Sequence, residues 1–286
     1  MTERNAPCPC GSGKKYKRCC GETGPSAASD PISLNRAIAY RGDIGRRREN
    51  FCREYIATKR EVTGNIEQSL KQDAAALEKT ISCAKGCGTC CNLYIAASLQ
   101  ECEAIVYHLY QHEAALRHFL QTIDAWRDKI VSISECFSTI NSLYGKKILS
   151  QATEEEKQTF RTAMDFYETR GIPCPFLVDN ACSIYEVRPY VCSGVVSVSP
   201  ADWCQPSHPE HNSMKYLKNS MRLDKDMPYF VRPDSGVFFG NMPLFVNDIL
   251  AEGYAALSAI PGLQSLQGLA FSDAEVLAEI RRSMKK

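Results

Sequence analysis

From about Leu34 to Thr80 the chain runs through Ala, Leu, Glu and Arg without a proline, which predicts one or two long helices. Cysteines 83, 87, 90 and 91 interrupt that run. Helical spacing returns over residues 98–131, where Leu99, Cys102, Ile105, Val106 and Leu109 recur at three and four, as do Leu116, Phe119, Leu120 and Ile123. Thr153 with Glu156 three residues on reads as a capping box, opening a helix that stops near Gly171 and Pro173. Residues 174–206, rich in proline and cysteine, read as irregular. Phe245 to Ile260 is patterned as an amphipathic helix, and Ser272 caps a last one through Met284. The pattern is mainly α, with loops that something other than regular hydrogen bonding must hold.

Composition says what that is. The chain is 44% hydrophobic and 23% charged, an ordinary globular balance with enough apolar material for a core. Its formal net charge of +1 argues against a whole-chain attraction to nucleic acid or membrane, and no DNA partner is evident. Fifteen cysteines are the outlier, and an odd count argues against a closed disulfide framework. The N-terminal stretch MTERNAPCPCGSGKKYKRCC has no continuous apolar segment of a secretory signal, and no window approaches the roughly 18 apolar residues of a membrane span. A cytoplasmic, reducing setting is expected, in which clustered thiols are metal ligands or redox groups. The expected organisation is a knuckle at 1–22, a linker at 23–33 built of small and breaker residues, and a helical domain at 34–286 whose cluster core spans 83–204.

In the knuckle, Cys8-Pro9-Cys10 is followed after eight residues by Cys19-Cys20. Four thiolates are what a tetrahedral structural zinc requires, and a segment this short cannot bury a core of its own. Gly11 and Gly13 permit the tight backbone of a small metal loop. The run Cys8, Pro9, Cys10, Gly11, Ser12, Gly13, Lys14, Lys15, Tyr16, Lys17, Cys19 and Cys20 resembles the SEC-C motif, the zinc-binding tail of the SecA translocation ATPase. The resemblance implies a structural zinc on Cys8, Cys10, Cys19 and Cys20, and docking to a protein or ribosomal partner. Five Lys/Arg against two Glu in residues 1–22 give a local +3 that suits docking, or simply solvates the knuckle. The same glycines and lysines do not make a phosphate loop: no strand precedes them, and Lys15 stands where Ser or Thr belongs.

The central set begins with Cys83, Cys87, Cys90 and Cys91. The two-residue gap between Cys87 and Cys90 lets both sulfurs converge on one metal, with Gly86 and Gly88 freeing the backbone. Cys83 would share the face of Cys87 if the preceding helix reached that far. Adjacent Cys90 and Cys91 serve one metal together only from an irregular loop; otherwise one of them serves a second metal or the core. Cys174, Cys182, Cys192 and Cys204 follow about 85 residues on, so the halves supply eight thiols, which suit zinc or an iron–sulfur cluster rather than hard cations. Cys174-Pro175-Phe176-Leu177, Cys182-Ser183-Ile184-Tyr185 and Arg188-Pro189 before Cys192, together with the first half, resemble the YkgJ-type cysteine-cluster family of zinc- or iron-chelating proteins. That resemblance implies metal binding and assigns no reaction, although relatives with similar cysteine patterns include flagellin lysine methylases.

Other residues change the picture less. Arg188 and Tyr185 adjoin the ligands, and Arg188 either donates to cluster sulfurs or pairs with Glu186. His108 and His112 lack the glutamate of a zinc-protease helix and read as a solvated face. His208 and His211 follow Cys204 and are candidates to replace a thiol, whereas Cys52, Cys102 and Cys136 read as core. Tyr229, Phe230, Phe238, Phe239 and Phe245 read as core or a hairpin. No catalytic set can be read from spacing. The leading expectation is a metal-binding protein with a structural zinc in the knuckle and a zinc or iron–sulfur site in the central cluster. The alternatives are an iron–sulfur enzyme acting on a protein substrate by redox or lysine methyl transfer, and a thiol redox sensor built on Cys90 with Cys91 or Cys87.

Overall fold

The computed structural model divides the chain into two compact units, residues 1–38 and 39–286. It describes residues 42–148, 152–219, 231–232, 236–237 and 239–252, together with Lys15 alone. The knuckle ligands Cys8, Cys10, Cys19 and Cys20, the linker, and the helix expected from Ser272 lie outside the described residues. What is described is mainly α, as the pattern predicts, with seven α-helices and short two-stranded pairings. None of these helices is long and apolar enough to cross a membrane.

The first helix, α1, spans Gly42–Ala76. Its buried stripe runs Cys52, Tyr55, Ile56, Lys59, Val62, Ile66, Leu70 and Ala74, a spacing of three and four that keeps one face on the core. It ends where Glu78 turns left-handed at φ 52°, and the Lys79 amide reaches back to the Ala74 carbonyl at 2.9 Å. Cys83 therefore lies beyond the helix, in extended chain, and shares no helical face with Cys87.

Strand β1 (Ala96–Ser98) leads into α2 (Leu99–Gln111), every residue of which from Leu99 to Leu109 is buried. A capping box opens α2: Ser98 Oγ accepts from the Glu101 amide, and the Glu101 carboxylate accepts from the Ser98 amide at 2.8 Å. At His112 the chain breaks and restarts as α3 (Glu113–Val131), so the periodic stretch expected over 98–131 is two helices. The next helix, α4 (Ser134–Ile148), was not anticipated; its Ser, Thr and Asn content is poor in helix propensity, and it is held by packing on α5 (Glu154–Thr169). The Thr153–Glu156 capping box that opens α5 is present in both directions.

Residues 174–218 contain only short elements: the β2–β3 hairpin (Leu177–Val178, Ala181–Cys182), a single turn α6 (Tyr190–Ser193), and β4 (Val195–Ser197) paired antiparallel with β5 (Tyr216–Lys218). The hairpin β6–β7 (Val231–Arg232, Gly236–Val237) precedes β8 (Phe239–Asn241), which pairs antiparallel with β1. Phe239 thus belongs to a strand. Helix α7 (Met242–Glu252) starts three residues before the expected Phe245 and packs on α2. Buried α2 is the hub against which α1, α3 and α7 are arranged.

Candidate metal centre

The proximal thiols are placed by tight local bonds. Gly86 takes φ 94°, a left-handed conformation that L side chains avoid, and the Cys87 amide then closes on the Ala84 carbonyl at 3.0 Å. Gly88 serves differently: a Cβ there would press on Leu177 and Asn180 of the distal half. Thr89–Asn92 forms a single 3₁₀ turn carrying both Cys90 and Cys91. At three residues per turn its neighbours are splayed, yet both thiols border the same cavity.

The distal thiols are held by the helices. The Cys174 amide donates to the Cys91 carbonyl at 2.7 Å, stitching the halves together. Phe176 stacks on Phe119 of α3 with ring centroids 4.5 Å apart, Thr122 Oγ1 donates to the Pro175 carbonyl, and His118 Nε2 meets the Leu177 carbonyl at 3.1 Å. Asp179 and Asn180 both adopt positive φ at the tip of the β2–β3 hairpin, which returns the chain to Cys182. On β4, the Ser197 amide donates to Cys83 Sγ at 3.1 Å, while Ser82 donates through its amide and hydroxyl to the Ser197 carbonyl.

Cys83, Cys87, Cys90, Cys91, Cys174, Cys182 and Cys192 line one cavity of about 300 Å³. Its apolar wall includes Leu70, Ile81, Ile95, Ile184, Val196 and Met242, and its charged wall is Lys71, Lys85 and Arg188 against a single carboxylate, Glu67. Arg188 pairs with Glu67 at 3.6 Å and donates to Ser193 Oγ, and its guanidinium lies 3.9 Å from the Tyr185 ring centre. Glu186, the alternative partner, bonds Arg60 instead. Burial pushes the thiols of Cys174, Cys192 and Cys182 up, neighbouring thiols add to all three, and Arg188 opposes the rise at Cys192 and Cys182. A hydrogen bond with Cys91, then desolvation, raises Cys90. These thiols resist becoming a crowd of unpaired thiolates, and a cation that replaces their protons removes the penalty. Among the described residues no three Cys, His, Asp or Glu side chains already converge on one ion. The donor set nevertheless fits zinc or an iron–sulfur cluster: soft sulfur donors, an apolar wall, and three cations to balance a negative thiolate centre.

The remaining candidates fall elsewhere. Cys204 does not line the cavity; its thiol sits 3.3 Å from the Met214 sulfur. His208 faces Asp202 at 3.6 Å and His211 faces Glu168 at 3.3 Å, so neither completes the thiol set. Cys52 and Cys102 are wholly buried core residues, as read; Cys136 is only partly buried and donates to the Ala163 carbonyl. The solvated face expected at His108 is corrected: its ring is buried and stacks on His112 at 3.8 Å. What sequence reasoning missed is a buried ion pair. Lys59 Nζ lies 3.4 Å from Glu101 Oε1, both side chains 2% exposed. Lys59 also donates to the Val187 carbonyl at 3.2 Å, and Glu101 Oε1 accepts from the Tyr190 amide at 2.8 Å. The pair therefore grips the chain on either side of Arg188-Pro189, just before Cys192. A lysine falling on the apolar stripe of α1 was the one available signal.

Residues 82–208, which contain this cavity's thiols, match the family model described as "Putative zinc- or iron-chelating domain", and residues 4–22 match the SEC-C motif. The chain carries both families' signatures. Over the knuckle it is 82% identical across 22 residues to the protein translocase subunit SecA of Wolinella succinogenes, and 78% identical across 23 residues to that of Sulfurovum sp.. It is also 90% identical across 19 residues to the uncharacterized protein YccF of Bacillus subtilis. These matches cover 7–8% of this chain and only 3–5% of those relatives, so they speak for the knuckle alone. No solved structure matches the chain.

Proposed function

We propose that the second unit is a metal-binding domain whose cavity holds zinc or an iron–sulfur cluster, ligated by thiolates drawn from Cys83, Cys87, Cys90, Cys91, Cys174, Cys182 and Cys192. The observation that carries this reading is the convergence of seven thiols from two sequence segments on one cavity of about 300 Å³ with cations on its wall. When bound, the metal supplies the cross-link between those segments; the chain supplies the scaffold, with α1, α2 and α3 fixing the distal loop. In the first unit, Cys8, Cys10, Cys19 and Cys20 bind a structural zinc, and the local +3 charge docks the chain to a protein or ribosomal partner in the cytoplasm. The recurrence of this segment as a few per cent of far larger translocase subunits supports a portable module.

Elemental analysis with a visible spectrum on anaerobically purified chain tests both halves. Colourless protein with two or more zinc ions supports a zinc centre; one zinc with several irons and acid-labile sulfide identifies a cluster and brings the enzyme reading forward. Cys182→Ser should lose the central metal and keep the knuckle zinc, and Cys10→Ser the reverse. Unchanged metal content in Cys182→Ser would sink the central assignment.

A further inference from the structure

Cys204 stands apart from the other central thiols, and its surroundings form a second constellation. Its Sγ lies 3.3 Å from the thioether sulfur of Met214, a residue the cysteine spacing gives no reason to single out. Two other thiols are tied to the same segment. Cys87 Sγ contacts Thr89 Oγ1 at 3.8 Å, and that hydroxyl is met at 3.5 Å by Gln205 Nε2, from the residue after Cys204. Cys83 Sγ accepts from Ser197, and β4 pairs with β5, which begins two residues after Met214. Cys83, Cys87 and Cys90 are exposed at the cavity's edge, whereas Cys91, Cys174, Cys182 and Cys192 are drawn further in.

We infer that the central thiols serve two sites rather than one. Cys174, Cys182 and Cys192 with Cys90 or Cys91 form the inner centre of the proposed function, on which this inference rests. Cys83, Cys87 and Cys204 with Met214 form a rim site for a soft, thiophilic cation of the copper(I) class. The donor chemistry makes the choice. A thioether contributes little to a zinc site, which draws on Cys, His and carboxylates, but it is a competent ligand for copper(I). Binding transfers no electrons: copper(I) enters as copper(I), and up to three thiol protons leave to solvent as the thiolates form. Among the described residues no three Cys, His, Asp or Glu side chains already close on one ion, so the cation completes the site, and exposure of Cys83 and Cys87 leaves it open to exchange with solvent.

The test is anaerobic copper(I) titration of the full chain, prepared with its resident zinc or iron, against a colorimetric copper(I) chelator. Met214→Leu keeps the side-chain volume and is expected to weaken one copper(I) equivalent about 10- to 100-fold while leaving zinc and iron content unchanged. Cys204→Ser is expected to abolish that equivalent, again sparing the resident metal. Equal copper(I) capacity and affinity in the wild type and both variants would overturn the rim site. So would loss of the resident metal in Cys204→Ser, because Cys204 would then belong to the inner centre. Failure of the underlying reading looks different: Cys182→Ser would leave resident zinc and iron unchanged, and the rim assignment would fall with it.

Discussion

Lys59→Met tests whether the metal segment is held from outside itself. The substitution leaves the Glu101 carboxylate buried, still accepting from the Ser98 amide and hydroxyl and the Tyr190 amide but deprived of its cation. It also strips the Val187 carbonyl of its lysine donor. Removing one member of a buried ion pair costs about 3–5 kcal/mol, whereas replacing both with apolar groups of similar volume is often near neutral. With both side chains 2% exposed, solvent offers little relief, so the full range applies. Urea unfolding of the reduced chain should therefore show a loss of about 3–5 kcal/mol for Lys59→Met. The double variant Lys59→Met/Glu101→Leu should recover part of it, with a coupling of at least about 1 kcal/mol. Because Val187 and Tyr190 bracket the turn before Cys192, the single variant should also surrender its central metal to a chelator faster, under conditions where circular dichroism still reports the native fold. A loss below about 1 kcal/mol, or single effects that add within about 0.5 kcal/mol, would refute the coupling argument.

Burial, reinforced by the charge of His112, lowers the His108 pKa to about 4 from an ordinary 6.5. The folded state then stays neutral while the unfolded state takes up a proton, so stability is full above pH 6.5 and falls as pH drops toward 4. The loss at pH 5 should be on the order of 2 kcal/mol, and His108→Leu should flatten this part of the urea-midpoint profile; an unchanged slope would count against a buried neutral ring. Gly240→Ala should destabilise by about 1–3 kcal/mol, because a Cβ there would run into the Phe245 ring of α7; thermal unfolding at wild-type temperature would contradict that packing.

Much of the fold was legible because period and chemistry agreed. The proline-free, Ala-, Leu-, Glu- and Arg-rich run of α1, the Thr153–Glu156 cap and the two cysteine segments are local signals, and the structure shows a helix over the first, the cap at the second and seven of the eight thiols on one cavity. Helix α4 was not legible, since Ser, Thr and Asn argue against a helix until the Tyr94, Phe137, Tyr144 and Tyr167 rings are brought together. The break at His112 was hidden by apolar spacing that continues across it. Among site residues, spacing grouped Cys204 with the distal thiols but was blind to Met214, which meets it only through the β4–β5 pairing. The fate of Arg188 depended on which acid lay near in space, and Glu67, more than a hundred residues upstream, is invisible to local reading.

The matched chelating segment begins at residue 82, but what orients its thiols begins earlier. Lys59 and Leu70 come from α1, and they respectively anchor the Arg188-Pro189 turn and wall the cavity. Arg188 is itself restrained by Glu67 of the same helix. A fragment cut at residue 82 would keep every thiol of the cavity, yet it would lack the cation that neutralises Glu101 and the carboxylate that holds Arg188. Thiol count alone therefore does not define the centre. Such a fragment should capture metal weakly and in mixed stoichiometry, because flexible thiolates satisfy a cation in many arrangements and only a preorganised set selects one.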